Sequence, residues 1–219
     1  KTCGVIYKEL HGHDDKNYND FVRKISGLIG NNSVITTDVG QNQVWVAQSF
    51  AVKDGQRILF SGGHGAMGYS LPAAIGACIG SGKRTYCFTG DGGLQMNIQE
   101  LQFINREKLP ITIILFNNNA LGMIRHFQEM YFHDNYYQTV PSGGYDNPDF
   151  EKLSKAYGFD YKQIKETDDN ISFDIDKPTF IEVVLNDKTY VFPKLEFGKP
   201  NQDQEPLLDR KLFNKLMEL

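Results

Sequence analysis

Apolar positions along this chain recur at two spacings, helical and strand-like, in alternating blocks. "DKNYNDFVRKISGLIG" puts Phe21, Ile25, Leu28 and Ile29 on one helical face, and Gly30 can end that helix. "SVITTD" reads as a short strand ending at Asp38, and "QNQVWVAQSF" returns to helical spacing. "RILF" is a strand that breaks at Ser61-Gly62-Gly63, and the Gly-rich "GGHGAMG" leads into a small-residue helix, "YSLPAAIGACIG". "RTYCFTG" predicts a strand, "GGLQMNIQELQFINREK" one helix, and "ITIILFN" a strand whose unbroken apolar run suits burial on both faces. "ALGMIRHFQEMYF" is helical again, and "HDNYYQTVPSGGYDNP" is a long polar loop. "DFEKLSKAYG" is a helix with Asp149 placed to cap it, followed by the strands "FDYKQI" and "PTFIEVVL".

Strand and helix alternate throughout. That order predicts a doubly wound α/β fold with a mostly parallel sheet and helices on both faces. Residues 1–15 read as a linker, 16–195 as one domain and 196–219 as a C-terminal extension. In such sheets ligands bind at the carboxyl ends of the strands. The unusual clusters all fall at that edge: Asp38 to Asn42, Gly62 to Gly68, Gly90 to Gly93, and Asn117 to Asn119.

Composition narrows the partners. Net charge is −4, from 23 basic and 27 acidic residues, with no basic block, so nucleic acid is a poor partner. No apolar run reaches the roughly 18 residues of a membrane span. Cys3, Cys78 and Cys87 are odd in number and unclustered, which argues for a reducing, cytoplasmic setting and for Cys78 and Cys87 as core residues. His11 and His13 have no further ligands nearby and read as solvent-exposed. The first residues do not resemble a signal peptide, and the opening Lys suggests a chain cut from something longer.

The chemistry sits in "GDGGLQMNIQELQFINREKLPITIILFNNN", residues 90–119. Glycines at a helix start let N–H groups approach an anion, but an acid among them repels phosphate. A divalent cation between Asp91 and a diphosphate removes the conflict. Mg²⁺ takes oxygen ligands, typically one or two carboxylates with phosphate oxygens and water. Asn118, after the next strand, offers an amide oxygen, and a backbone carbonyl just beyond can add a third ligand. Taken singly, each cluster also fits a helix cap or turn.

Gly-Asp-Gly followed, 27 residues after the Asp, by the second Asn of an Asn-Asn pair resembles the thiamin-diphosphate-binding motif. "GGHGAMGYSLPAAIGA", "GDGGLQMNIQEL", "NNNALGMIRHFQ" and "ITTDVGQNQVWVAQSF" are similar to the acetolactate synthase large subunit branch of the thiamin-dependent enzymes, over about residues 17–195. The resemblance implies the C-terminal diphosphate-binding domain, with thiamin diphosphate and Mg²⁺ as cofactors. It implies Asp91, Asn118 and the carbonyl of Ala120 as metal ligands. Gln41, Asn42, Gly92 and Gly93 would lie around the diphosphate. Gly65, Ala66 and Met67 would meet the aminopyrimidine, with Met67 propping the cofactor's bend, and Leu121, Gly122 and Met123 would line the same pocket. Met123 also reads as a core filler.

The implied reaction is decarboxylation of a 2-oxo acid and ligation of the product to a carbonyl acceptor. No catalytic residue is expected in this chain. The family's activating Glu belongs to an N-terminal pyrimidine-binding domain of the same or a neighbouring subunit, which no stretch here matches. The resemblance therefore implies a homo-oligomer, dimer or tetramer, and an isolated chain that does little alone. Phe127 stands where acetolactate synthases commonly carry Trp, a position tied to acceptor choice; it either faces the substrate or packs the helix. The alternatives are another thiamin-dependent decarboxylase or carboligase, as in sugar or polysaccharide metabolism, and a non-catalytic packing domain. A nucleotide binder would need GxGxxG after the first strand or a Lys-Ser/Thr phosphate loop, and neither is present.

Overall fold

The computed structural model describes residues 18–218, apart from 166–167, 169–170, 174–176, 195, 197, 201 and 206. The first linker, with Cys3, His11 and His13, lies outside the described residues. Among the described residues, six strands form one parallel sheet: β1 (Val34–Thr37), β2 (Arg57–Phe60), β3 (Thr85–Gly90), β4 (Ile111–Asn117), β5 (Asp160–Ile164) and β6 (Thr179–Val184). Their order across the sheet is β2-β1-β3-β4-β6-β5. The doubly wound fold is therefore present as read.

The central strands are buried on both faces because alternate residues feed two separate cores. Phe88, Ile114, Phe116, Ile181 and Val183 point to one side, where helices α1 (Asn19–Leu28) and α2 (Gln41–Ser49) pack with Phe21, Val22, Ile25 and Trp45. Cys87, Ile113, Leu115 and Phe180 point to the other. They meet Leu71, Ala74 and Cys78 of α3 (Ser70–Ser81), Leu94 of α4 (Asp91–Met96), Leu101 and Ile104 of α5 (Glu100–Arg106), and Phe150 of α7 (Phe150–Ala156). Each such side chain contributes roughly 1.5–3 kcal/mol on full burial, so these two layers dominate the fold's stability. Helix α6 (Gly122–Tyr131) follows β4, and α8 (Arg210–Met217) lies near the C-terminus. Asp149 does cap α7, accepting the Lys152 N–H at 3.0 Å.

Two local expectations are corrected. The single helix expected after Gly90 is two, α4 and α5. The Asn97 side chain donates to the Gly68 carbonyl at 2.7 Å, and the backbone at 97–102 switches to i→i+3 bonds, which breaks the α-helix. Leu28 is 46% exposed, so the core stripe of α1 is Phe21, Val22, Ile25 and then Ile29 beyond its end. No helix among the described residues is long and apolar enough to cross a membrane.

The order of elements sets the site. From β1 the chain moves outward to β2, then crosses to β3 on β1's other side. The helix after β1 lies on one face and the helix before β3 on the other. The loops beyond β1 and β3 thus separate at a topological switch point, where a crevice forms.

Candidate cofactor site

Parallel pairing brings three strand ends to one edge. Thr37 of β1 is opposite Phe88 of β3, and Gly90 is opposite Phe116 of β4, so Asp38, Asp91 and Asn118 leave the sheet side by side. Between their loops is a cavity of about 360 Å³. Gln41, Asn42, Gly65, Met67, Asp91, Gly92 and Gly93 line it, as do Asn118, Ala120, Leu121, Gly122 and Met123. Ala66 sits just behind, its N–H bonded to the Ser61 hydroxyl. Phe127 does not line this cavity; it lines a neighbouring one of about 540 Å³ that shares Val44 and Met123 with the first.

Asp91 is 3% exposed. Its Oδ1 accepts the Gly92 N–H at 2.8 Å. Its Oδ2 accepts the Ala120 N–H at 3.1 Å and the Asn147 amide at 2.8 Å. The bond to Ala120 joins the loop after β3 to the loop after β4. The Ala120 carbonyl accepts the Gly122 N–H at 2.9 Å and keeps a second lone pair. Asn118 donates through Nδ2 to Gln41 Oε1 at 3.3 Å and to Thr189 Oγ1 at 2.8 Å, so its oxygen is the amide atom able to ligate a cation.

Gln41 has a structural part in this arrangement. Its Oε1 also accepts the Thr189 hydroxyl at 2.6 Å, and its Nε2 donates to the Thr189 carbonyl at 2.8 Å. The segment at 189–193 is an extended strap held by its carbonyls: Trp45 donates to Tyr190, Gln48 to Pro193, Asn19 to Phe192, and Arg125 to Thr189. Gln41, Trp45 and Gln48 occupy one stripe of α2, so the helix that opens the cavity also fixes the strap that orients Asn118. On the far side, Asp38 is fully buried and accepts the Gly68 N–H, the Ser70 N–H and the Ser70 hydroxyl. It ties the Gly-rich loop to the end of β1.

Two glycines are closely packed, Gly92 against side-chain tips and Gly122 against the hydrogen-bonded Gln41 and Asn118. A Cβ on Gly92 would stand 2.5 Å from Leu121 Cδ2 and 3.3 Å from the Tyr145 hydroxyl. A Cβ on Gly122 would run into Gln41 Oε1 and stand 2.6 Å from Asn118 Nδ2. Asn42 Oδ1 is buried without a hydrogen-bond partner, a polar atom that a bound group could satisfy; the Tyr145 hydroxyl lies against Asp91. The donor set of one carboxylate, one amide oxygen and one carbonyl suits a hard cation such as Mg²⁺. No cluster of three or more His, Cys, Asp or Glu side chains occurs among the described residues, so such a cation needs further oxygens from its ligand.

Burial pushes the Asp91 carboxyl up to about 6, against the opposing hydrogen bonds from Asn147, Gly92, Ala120 and Tyr145. Its folded-state pKa lies above the unfolded one, so the folded chain binds this proton more tightly. Stability from this group is present below about pH 4 and is lost as pH rises through 6. Burial also lowers His126 to about 4, with Lys194 adding to the shift, and its slope has the opposite sign over the same range. The Asp91 contribution is therefore read as a difference. The stability of the metal-free protein minus that of Asp91→Asn should fall by about 2–2.5 kcal/mol between pH 4 and 7, measured by urea unfolding. A constant difference across that range contradicts the burial argument.

A family model described as "Thiamine pyrophosphate enzyme, C-terminal TPP binding domain" matches residues 38–183, which includes all three strand ends. The chain belongs to this family. It is closely related to acetolactate synthase large subunits. The large subunit of Lactococcus lactis subsp. lactis (strain IL1403) is 36% identical over 183 residues, 81% of this chain and 31% of that protein. The isozyme 2 large subunit of Escherichia coli (strain K12) is 36% identical over 176 residues, 78% of this chain and 32% of that one. A probable acetolactate synthase large subunit of Methanococcus aeolicus is 42% identical over 138 residues, 63% and 22% of the two. The chain thus spans about a third of the length of the first two relatives.

Two residues of this TPP-binding domain escaped the sequence reading: Thr189 orients Asn118, and Asn147 reaches Asp91. Asp38, read from sequence as part of an edge cluster, anchors the Gly-rich loop. Asn147 precedes Pro148 and the Asp149 cap, so turn chemistry alone accounted for it.

Proposed function

We propose that this TPP-binding domain holds thiamin diphosphate through Mg²⁺ and serves an acetolactate synthase-like enzyme that decarboxylates a 2-oxo acid and ligates the product to a carbonyl acceptor. The observation that carries the reading is the convergence of Asp91, Asn118 and Ala120 on one cavity wall at the ends of adjacent strands. Asp91, Asn118 and the Ala120 carbonyl would hold the metal, and Gly92, Gly93 and Asn42 would receive the diphosphate. Gln41 supports Asn118 from behind. Met67, Leu121 and Met123 supply an apolar wall for the rings. When bound, thiamin diphosphate supplies the nucleophilic carbon and the electron sink. The chain's own task is to place it and keep its charged end dry.

The domain reading is that residues 16–195 form the cofactor half of a larger site, with 1–15 as linker and 196–219 as extension. Met67, Met123 and Ile124 line the cavity yet are 39%, 42% and 53% exposed, an apolar rim that fits a covering domain. That partner would be the N-terminal pyrimidine-binding domain of the same or a neighbouring subunit in a homo-oligomer, and it would bring the activating Glu. A cytoplasmic setting fits the two described cysteines, both buried and unpaired.

The test is CO₂ release from pyruvate and related 2-oxo acids. The 219-residue chain alone is expected to show none, and addition of the N-terminal region, fused or in trans, is expected to establish turnover. Robust turnover by the chain alone contradicts the split site. No turnover from the assembled protein with any 2-oxo acid contradicts the reaction class.

A further inference from the structure

The metal ligand Asp91 is not held by its own loop alone. A partly buried hydrogen-bond relay runs from it across the sheet edge. Asn147 Nδ2 donates to Asp91 Oδ2 at 2.8 Å and to Asn117 Oδ1 at 3.2 Å. Asn147 Oδ1 accepts from Gln95 Nε2 at 3.0 Å. Asn117 Nδ2 in turn donates to Glu182 Oε1 at 2.5 Å, and Glu182 Oε2 accepts the Tyr161 hydroxyl at 2.5 Å. Glu182 lies in β6 beside β4 and is 6% exposed.

The chemistry of the relay sets every amide orientation. A carboxylate only accepts, so Glu182 draws the NH₂ of Asn117 toward it. The Asn117 oxygen must then face outward, where it accepts the Asn119 N–H at 3.0 Å and the Asn147 amide. Asn147 now has acceptors on one side, Asn117 Oδ1 and Asp91 Oδ2, and a donor, Gln95, on the other. Only one amide orientation satisfies all three. Asp91 Oδ2 therefore carries two N–H donors, from Ala120 and Asn147, and Oδ1 carries that of Gly92, with the Tyr145 hydroxyl also against the carboxylate. Donors from three separate segments hold the carboxylate plane.

We propose that Asn147 is the positioning residue of the metal site: it clamps the Asp91 carboxylate in the orientation presented to Mg²⁺, and Glu182 anchors the clamp through Asn117. This rests on the reading of Asp91 as a metal ligand. It gives the long polar loop after α6 a direct part in metal binding, and it gives the first Asn of the Asn cluster a different duty from the second. Asn117 aligns the clamp, whereas Asn118 ligates.

The test is the Mg²⁺ half-saturation concentration at saturating thiamin diphosphate, measured by calorimetry on the assembled protein, with Ca²⁺ as the competing probe. Asn147→Ala is expected to raise the Mg²⁺ half-saturation by about 10–100-fold, the usual cost of losing a partner that orients a metal ligand. It is also expected to narrow the preference for Mg²⁺ over Ca²⁺, because Mg²⁺ needs stricter octahedral geometry. A merely structural Asn would lower the unfolding midpoint and leave that preference unchanged. Glu182→Leu should give a smaller rise that disappears in the Asn147→Ala background, since both act through one contact. Asn147→Leu, nearer in volume, replaces alanine if that variant fails to fold. Wild-type affinity and selectivity in the Asn147 variants, with Mg²⁺-dependent binding intact in the parent, overturns the clamp and leaves the site reading standing. Absence of Mg²⁺-dependent binding in the parent itself overturns both.

Discussion

Asp91→Ala is expected to abolish Mg²⁺-dependent binding of thiamin diphosphate in the assembled protein, with an affinity loss beyond about a hundredfold. Loss of a residue that only supports a metal ligand costs about 10–100-fold, and a direct ligand should exceed that range. Asp91 is the one carboxylate among the described residues that line the cavity, so none of them replaces its charge. The same substitution should not unfold the metal-free protein. In that state the buried carboxyl has a pKa raised to about 6, and its ionised form opposes folding at neutral pH. Removing it forfeits the bonds from Ala120 and Asn147 but also relieves that burden. Calorimetry beside thermal unfolding separates the two effects. Unchanged cofactor affinity contradicts the ligand assignment, and a gross loss of fold in the metal-free variant contradicts the energetics.

Gly122→Ala is the second large effect. Helix propensity alone favours alanine here by about 1 kcal/mol, because Gly122 begins α6. Against that, the new Cβ would collide with Gln41 Oε1 and crowd Asn118 Nδ2 at 2.6 Å. Moving either side chain breaks the bonds that Gln41, Asn118 and Thr189 share, and each buried polar group left unpaired costs about 1–3 kcal/mol. The collision should win, with net destabilisation of about 2–4 kcal/mol and a loss of cofactor affinity greater than about tenfold through displaced Asn118. Gly76→Ala, inside α3 with nothing within 4 Å of the new Cβ, should instead stabilise by about 0.5–1 kcal/mol. Urea unfolding of the pair checks the sign of both. A stabilised Gly122→Ala protein contradicts the packed network.

The sheet and the ligand-bearing loops were legible because their signals are local. "ITIILFN" is apolar throughout since β4 feeds both cores, and Gly-Asp-Gly and the Asn cluster stand out where a strand should simply stop. What stayed hidden depends on distant partners. Asn147 meets Asp91 from 56 residues away, and Thr189 meets Asn118 from 71. Neither residue type is unusual for a loop, so no periodicity marks them. The break between α4 and α5 was equally concealed: its cause is a bond from Asn97 to Gly68, 29 residues away, within an otherwise helical pattern. Gln41 was placed at the diphosphate, and its side-chain amide proves to be bonded within the chain to Thr189 and Asn118. Phe127 packs near Tyr131 and Phe132 and lines the adjacent cavity, so both of its readings keep a structural basis.

This domain is proposed to bind thiamin diphosphate through a metal held by the ends of β3 and β4. The direct measurement is a calorimetric titration of thiamin diphosphate into the assembled protein, with Mg²⁺ and then with the metal chelated. Saturable binding at one site per copy with Mg²⁺, lost on chelation, is the result expected. Binding of equal affinity without any divalent cation, or none in its presence, contradicts it.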